Sequence, residues 1–298
     1  MNTPILFLIF NRPDTTAQVF ERIRQAQPAR LYVAADGARE GRPDEAKRCA
    51  ETRSVIDRID WPCKVKTLFR DKNLGCKIAV SEAITWFFDN EQYGIILEDD
   101  CLPDMSFFPF CEELLIRYKD DDRIGHIGGN CFFPCIVKDR LSYDFCNHVH
   151  IWGWASWRRV WQNYDVEFQY WSQHKYDSEK HRNIFNCKRE EIYFSSALSD
   201  AISTGGKLNT WDYQYFFTLR TQNQLSVYPC VNLVTNIGLD AAMSTNTNKN
   251  TRNSGTLSTM AFPLRHPQYI IRNKTIDNAV LNLKWSWKRL LRYLFKQY

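Results

Sequence analysis

Neither GxxxxGK(S/T) nor GxGxxG occurs in the 298 residues, so neither common phosphate-binding loop has a basis in this chain. The ten cysteines include no CxxC pair and are irregularly spaced. A chain of this size does not need disulfide staples, so a reducing cytoplasm is expected, with most thiols buried as small hydrophobes. The nearest approach to a zinc pattern is Cys131, Cys135, Cys146, His148 and His150, whose spacing fits no common structural-zinc motif. Long apolar runs are missing too. The opening "ILFLIF" spans six residues, with no basic stretch before it and no small-residue cleavage site after it. That is too short for a signal peptide or a bilayer span, and it predicts a buried first strand. There is no acid after Asp277, and Lys284, Lys288, Arg289, Arg292 and Lys296 account for the whole net charge of +5. The rest of the chain is formally neutral, so no nucleic-acid partner is expected. No Pro- or Ser-rich linker and no internal repeat divides the chain, which suits one large core with an extension.

The first hundred residues alternate between strand-like and helix-like signals. "PILFLIF" is followed by Asp14 as a candidate cap and "TTAQVFERIRQAQ" as helix; "RLYVAAD" is followed by "PDEAKRCAETRSVIDRID". "CKVKTLF" then precedes "LGCKIAVSEAITWFFDN", and "GIIL" ends at an acid cluster before an aromatic helix. This order predicts an α/β fold with a mostly parallel central sheet flanked by helices. Ligands of such sheets bind beyond the carboxyl ends of the strands. Asn11 and Arg12, Asp36 and Gly37, Asn73 and Gly75, and then Glu98, Asp99 and Asp100 follow the four strands.

Three adjacent carboxylates at the end of a buried strand repel one another unless a cation or strong donors lie between them. A hard divalent ion, Mn²⁺ or Mg²⁺, takes carboxylate and phosphate oxygens. Asp100 is the first candidate for metal ligand, with Asp99 and Glu98 supporting the metal and a donor sugar. The plain alternative is a solvated strand end whose acids help start the next helix. Asp36 reads either as an Asp-Gly turn or as an acceptor for a nucleobase imide N–H, with Arg12 as a nearby donor. Together these residues fit a nucleotide diphosphate, base at one end and metal-bound phosphates at the other.

With "FNRP" at 10–13, "ADG" at 35–37, "NLG" at 73–75, "ILEDD" at 96–100, "WGWASW" at 152–157 and "WDYQ" at 211–214 in order, residues 4 to about 240 resemble a GT-A fold glycosyltransferase. The likeness is to the N-acetylglucosaminyltransferase I type and its bacterial relatives in polysaccharide synthesis. The resemblance implies Arg12 and Asp36 at the nucleotide, Glu98 and Asp99 at ribose and sugar, Asp100 at Mn²⁺, and Asp212 as base of an inverting transfer. "FRDKNLG" aligns only loosely with the animal enzymes, which leaves the base and donor sugar, UDP or dTDP, open. Asp212 also reads as a cap for "YQYFFTLR".

On this reading residues 1–125 form the nucleotide-sugar-binding half and 126–240 the acceptor-binding and catalytic half. A mobile polar loop follows at 241–262, a candidate lid, and then a C-terminal extension at 263–298. Trp154, Trp157 and Trp161 fall on one face if the segment is a helix, which favours packing. Trp152 and Trp154, flanking Gly153, are also candidates to border an acceptor sugar. Arg158 and Arg159 read as surface residues, and His148 and His150 share a face if their segment is a strand. In the tail, Lys284, Lys288, Arg292 and Lys296 form one basic stripe beside an apolar surface. That pattern suits a helix on an anionic membrane surface through 279–298, or a helix docked on its own domain. The expectation is a peripheral enzyme on the inner face of the plasma membrane, moving a sugar from a nucleotide-diphosphate donor to a glycan or lipid-linked acceptor in bacterial surface polysaccharide synthesis. Its competitors are a sugar-1-phosphate nucleotidylyltransferase, which would normally carry a Gly-rich first loop, and an inactive glycan-binding protein.

Overall fold

The computed structural model describes residues 1–133, 141–174, 178–203, 209–238 and 255–284. Its first half follows the sequence pattern. Strands β1 (Ile5–Ile9), β2 (Arg30–Ala35), β3 (Lys64–Phe69) and β4 (Tyr93–Glu98) alternate with helices α1 (Pro13–Ala26), α2 (Pro43–Arg53) and α3 (Gly75–Asn90). β1 is buried along its whole length, as a strand covered on both faces must be. β3 lies at the sheet margin and is largely exposed. Two local expectations change. Asp14 is not the cap of α1, because Pro13 takes the first helical position and leaves Asp14 in the first turn. The second helix stops at Arg53, and Ser54–Arg58 continues as a tighter 3-10 turn.

Beyond β4 the chain adds β5 (Cys101–Pro103), α4 (Phe107–Arg117), β6 (Ile124–Gly128), β7 (Tyr143–Cys146) and β8 (Trp154–Trp157). Then come α5 (Arg158–Trp161), α6 (Gln169–His174), α7 (Ser178–Ile184), α8 (Lys188–Ser203), α9 (Asp212–Thr221), β9 (Leu225–Pro229), β10 (Val234–Asn236) and α10 (Lys274–Lys284). One sheet runs β3-β2-β1-β4-β8-β6-β9-β7, and β5 pairs with β10 in a small second ribbon. β1 to β4 are parallel, while β8 runs antiparallel between β4 and β6. Helix α3 packs on β1 and β2, and α4 on β4, β6 and β8. A single hydrophobic cluster includes Phe7 and Leu97 from the first half and Trp154, Tyr215 and Val234 from the second.

The Trp-rich segment is a strand where a helix pattern was expected. β8 lies inside the sheet and is buried on both faces, so apolar residues recur along it without a period of two. Trp154 is 0 % exposed, stacked 5.5 Å from His126 and 5.7 Å from Trp211. It is a core side chain, not an acceptor contact. Arg158 and Arg159 spend their guanidinium groups on backbone carbonyls, Arg159 on those of Tyr118, Lys119, Asp121 and Ile124. The strand read through His148 and His150 ends at Cys146, and both histidines are buried beyond it.

In α10, Ile276, Val280 and Leu281 are buried; Ile276 and Val280 pack in a second cluster with Cys131, Cys146 and Tyr228. The start of the expected membrane segment is therefore docked on the chain's own domain, and its remainder, 285–298, lies outside the described residues. So do Cys135 of the zinc-like pattern and most of the candidate lid, residues 239–254. No described helix is long and apolar enough to cross a membrane. The nine cysteines among the described residues are all free thiols.

His126 gives the fold a pH signature. It is 0 % exposed, with Nε2 3.1 Å from the His150 carbonyl, and burial holds its imidazole down to about 3. The unfolded chain takes up this proton near pH 6.5 and the folded chain does not, so the group's contribution is whole above 6.5 and declines as pH falls toward 3. Between pH 7 and 5 it should remove about 2 kcal/mol. Asp99, raised to about 7 by burial and by Asp100, titrates with the opposite sign. The effect is therefore read as a difference: the stability gap between wild type and His126→Gln in urea melts should shrink by that amount over the interval. A gap independent of pH would refute it.

Candidate active site

A cleft of about 860 Å³ opens at the carboxyl ends of the four parallel strands. The segment after β1 contributes Phe10 and Arg12, that after β2 Asp36 and Arg39, the β3–α3 loop Arg70, Asn73 and Gly75, and the end of β4 with the residues just beyond it Glu98, Asp99 and Asp100. Asp212, at the first position of α9, and Trp152 line it from the second half. The expected convergence of the four loops holds for these residues.

The acid cluster is held by Arg12. Its Nη1 lies 2.6 Å from Asp100 Oδ2 and 3.5 Å from Asp99 Oδ1, with all three side chains mostly buried. Asp99 Oδ2 also accepts from the Phe10 N–H at 3.2 Å. One guanidinium faces three carboxylates here, Asp99, Asp100 and Glu98, and Glu98 also feels Asp212. Burial pushes Glu98 well above the usual carboxylate range, and the three acids push it the same way against Arg12. Electrostatic strain of this sign is relieved by a further cation. Among the described residues no three His, Cys, Asp or Glu side chains converge on a metal. A divalent ion would then have Asp100 as its protein ligand and draw its other oxygens from phosphate and water, which is how Mg²⁺ and Mn²⁺ are commonly held at phosphates. The hard oxygen donors and the uncompensated charge fit such an ion. Gly238 closes over the pair: a Cβ there would lie 2.5 Å from Asp100 Oδ2 and 3.0 Å from Arg12 Nη1.

Asp36 reaches the cleft wall, but its carboxylate is already spent. Oδ1 accepts from the N–H groups of Gly37 and Leu74, and Oδ2 from Gly75 N–H and Asn73 Nδ2, all within 3.0 Å. It caps the start of α3 and fixes the loop, instead of offering itself to a nucleobase. Asn73 is the other half of that lock; its Nδ2 also donates to the Gly37 carbonyl at 2.8 Å, which turns its own Oδ1 away from both partners. Gly75 sits at φ +78°, where a Cβ would meet Asn209 Nδ2 at 2.7 Å. Asn11 does not reach the cleft: its side chain is buried and donates to Glu45 Oε1 at 2.9 Å.

That contact exposes a pair missed in the sequence. Glu45 is 1 % exposed and is gripped by Arg39 through Nε and Nη2, by the Arg39 N–H and by Asn11. The Arg39 hydrogen bonds hold its carboxyl down to about 2. Arg39 is thus pinned at the cleft wall above the Phe10 ring. Arg70, paired with the exposed Glu82, adds a third cation to the wall. "ADGARE" did carry a signal, an Arg three residues after the strand-end Asp, but nothing in it shows which way the side chain points.

On the far wall Asp212 is the first residue of α9, not its cap, and Thr210 Oγ1 donates to its Oδ1. Trp152 is half-buried against Phe132, ring centroids 5.6 Å apart.

The structure is thus a mostly parallel sheet flanked by helices, with a cleft of arginines and carboxylates at its strand ends. No family model matches the chain, and no curated protein matches it. Among solved structures it is similar to HddC from Yersinia pseudotuberculosis, with a TM-score of 0.36 and 12% identity over 56% of this chain and 83% of that one. A cytidylyltransferase from Leptospira borgpetersenii gives 0.35 and 13%, covering 75% and 98%. An apo UDP-glucose pyrophosphorylase gives 0.37 and 8%, covering 77% and 90%. Likeness at this level assigns no activity to the present chain.

Proposed function

We propose that the protein is a metal-dependent inverting glycosyltransferase using a nucleotide-diphosphate sugar, with UDP as the first nucleotide to test. The supporting observation is the pairing of an under-neutralised acid cluster at the end of β4 with a further carboxylate, Asp212 of α9, lining the same cleft. The diphosphate would lie over Asp100 and Arg12, with Arg39 and Arg70 as further donors. A Mn²⁺ or Mg²⁺ ion on Asp100 would neutralise charge on the departing diphosphate. An acceptor hydroxyl attacks the anomeric carbon and gives its proton to Asp212, whose Oδ2 is left for it by the Thr210 bond. The new bond joins acceptor oxygen to that carbon, the bond from carbon to phosphate oxygen breaks, and the nucleoside diphosphate leaves. Calorimetric titration of UDP in Mn²⁺ and in EDTA tests the donor site: binding that needs the metal supports it, and no binding in either overturns it.

A sugar-1-phosphate nucleotidylyltransferase is the competing reading, since a cytidylyltransferase and a pyrophosphorylase are among the similar structures. Against it, Pro13 begins α1 three residues after Phe10, which leaves no room for a Gly-rich triphosphate loop.

The acceptor is proposed to be a lipid-linked or growing surface glycan, met by a peripheral enzyme on the cytoplasmic membrane face. Leu283, at the end of α10, is 44 % exposed and borders the cleft, and the basic tail follows it in sequence. Because Val280 and Leu281 belong to the fold, the informative truncation removes 285–298 only. That variant should melt as wild type yet lose sedimentation with vesicles rich in anionic lipid. Unchanged sedimentation would contradict the membrane role.

A further inference from the structure

Past Asp100 the cleft continues toward the ends of β6 and β8, and one polar side chain there has no hydrogen-bond partner among the described residues. Asn130 is 1 % exposed and borders the cleft, yet among the described residues neither its Oδ1 nor its Nδ2 has a hydrogen-bond partner. Its backbone surroundings are fixed: Gly129 N–H donates to the Gly153 carbonyl and Cys131 N–H to Asn232 Oδ1, both at 2.8 Å. The amide is therefore held in place with both of its functions idle. A buried amide without partners costs its full desolvation, so one kept in a folded protein calls for partners from outside the chain, an ordered water or a ligand.

The surroundings define that ligand. Phe132, two residues on, meets Trp152 edge-on at 5.6 Å and His150 at 5.3 Å, and these rings line the same cleft as Asn130. An occupant must offer a donor and an acceptor side by side, and an apolar face for the rings. Phosphate offers acceptors only, and a metal ion would engage the amide oxygen but leave the N–H groups without a partner. A pyranose offers both: adjacent hydroxyls, one donating and one accepting, and a face of C–H groups.

We propose that Asn130, with Phe132 and Trp152, forms a pyranose subsite in which the Asn130 amide reads two neighbouring hydroxyls. The proposal rests on the glycosyl-transfer reading. The ring belongs either to the donor or to the acceptor, and the two are separable. Wild type, Asn130→Ala and Asn130→Leu are titrated in Mn²⁺ with UDP, UDP-glucose, UDP-galactose and UDP-N-acetylglucosamine, then, saturated with UDP, with the methyl glycosides of the same sugars. Both variants should bind UDP as wild type does and melt no lower, with Asn130→Leu melting higher because an idle amide has been replaced by an apolar group. A tenfold or greater loss confined to a UDP-sugar identifies a donor subsite; the same loss confined to a glycoside identifies an acceptor subsite. If both variants bind every probe as wild type, or melt lower with unchanged discrimination, Asn130 serves the fold through bound water and the subsite is refuted. If wild type itself fails to bind UDP, the reading beneath the subsite falls with it.

Discussion

Asp212→Asn should leave UDP binding as in the wild type and lower turnover by about 10²–10⁴, the range a positioned general base supplies. The substitution keeps the size of the side chain and its Thr210 contact but removes the only charge α9 presents in its first turn. Asp212 stands apart from the ion pair that organises the other acids, so its loss should not disturb Arg12, Asp99 or Asp100. The split between binding and turnover is the informative quantity, because an interaction made only in the transition state lowers kcat without changing donor affinity. Turnover within threefold of wild type would remove Asp212 from the chemistry. Equal loss of UDP affinity would make it a structural residue of the cleft.

Asp100→Ala should act on the other half of the reaction, abolishing the difference between UDP titrations in Mn²⁺ and in EDTA. Removing a supporting group around a metal costs roughly ten- to hundredfold in affinity, and removing the ligand itself should cost no less. The substitution also frees Arg12, which keeps only the 3.5 Å contact to Asp99. Residual, metal-independent UDP binding through this freed guanidinium is therefore expected. It separates a lost metal site from a collapsed cleft, which would bind nothing. Metal-dependent binding that survived in Asp100→Ala would place the ion elsewhere and refute the assignment.

How far the sequence carried this picture differs from element to element. β1, β2 and β4 were legible because each is an apolar run closed by a polar loop, a pattern imposed by burial on both faces, whereas the marginal β3 is largely exposed. The same burial hid β8, whose tryptophans at 154 and 157 satisfy a helical spacing equally well. The acid cluster was visible as a charge anomaly, and the structure adds Arg12 as its organiser. Asp36 and Asn11 were read as ligand contacts because a strand-end polar residue is free in sequence. In space their hydrogen bonds are taken by the α3 start and by Glu45. Asn130 had no sequence signal: within "IGGNCF" nothing distinguishes a satisfied turn asparagine from a buried idle one. Partner saturation is a three-dimensional quantity, and it decides which polar residues of the cleft remain available to a ligand.

The central claim is that a nucleoside diphosphate leaves from this cleft, and product analysis tests it most directly. The purified protein would be incubated with UDP-sugars and Mn²⁺, in parallel with and without pyrophosphate, and the nucleotides separated by chromatography. The account predicts UDP, slowly formed by transfer to water without an acceptor, indifferent to pyrophosphate and lost in Asp212→Asn. UTP appearing only when pyrophosphate is added, with no UDP, would contradict it and make the protein a nucleotidylyltransferase.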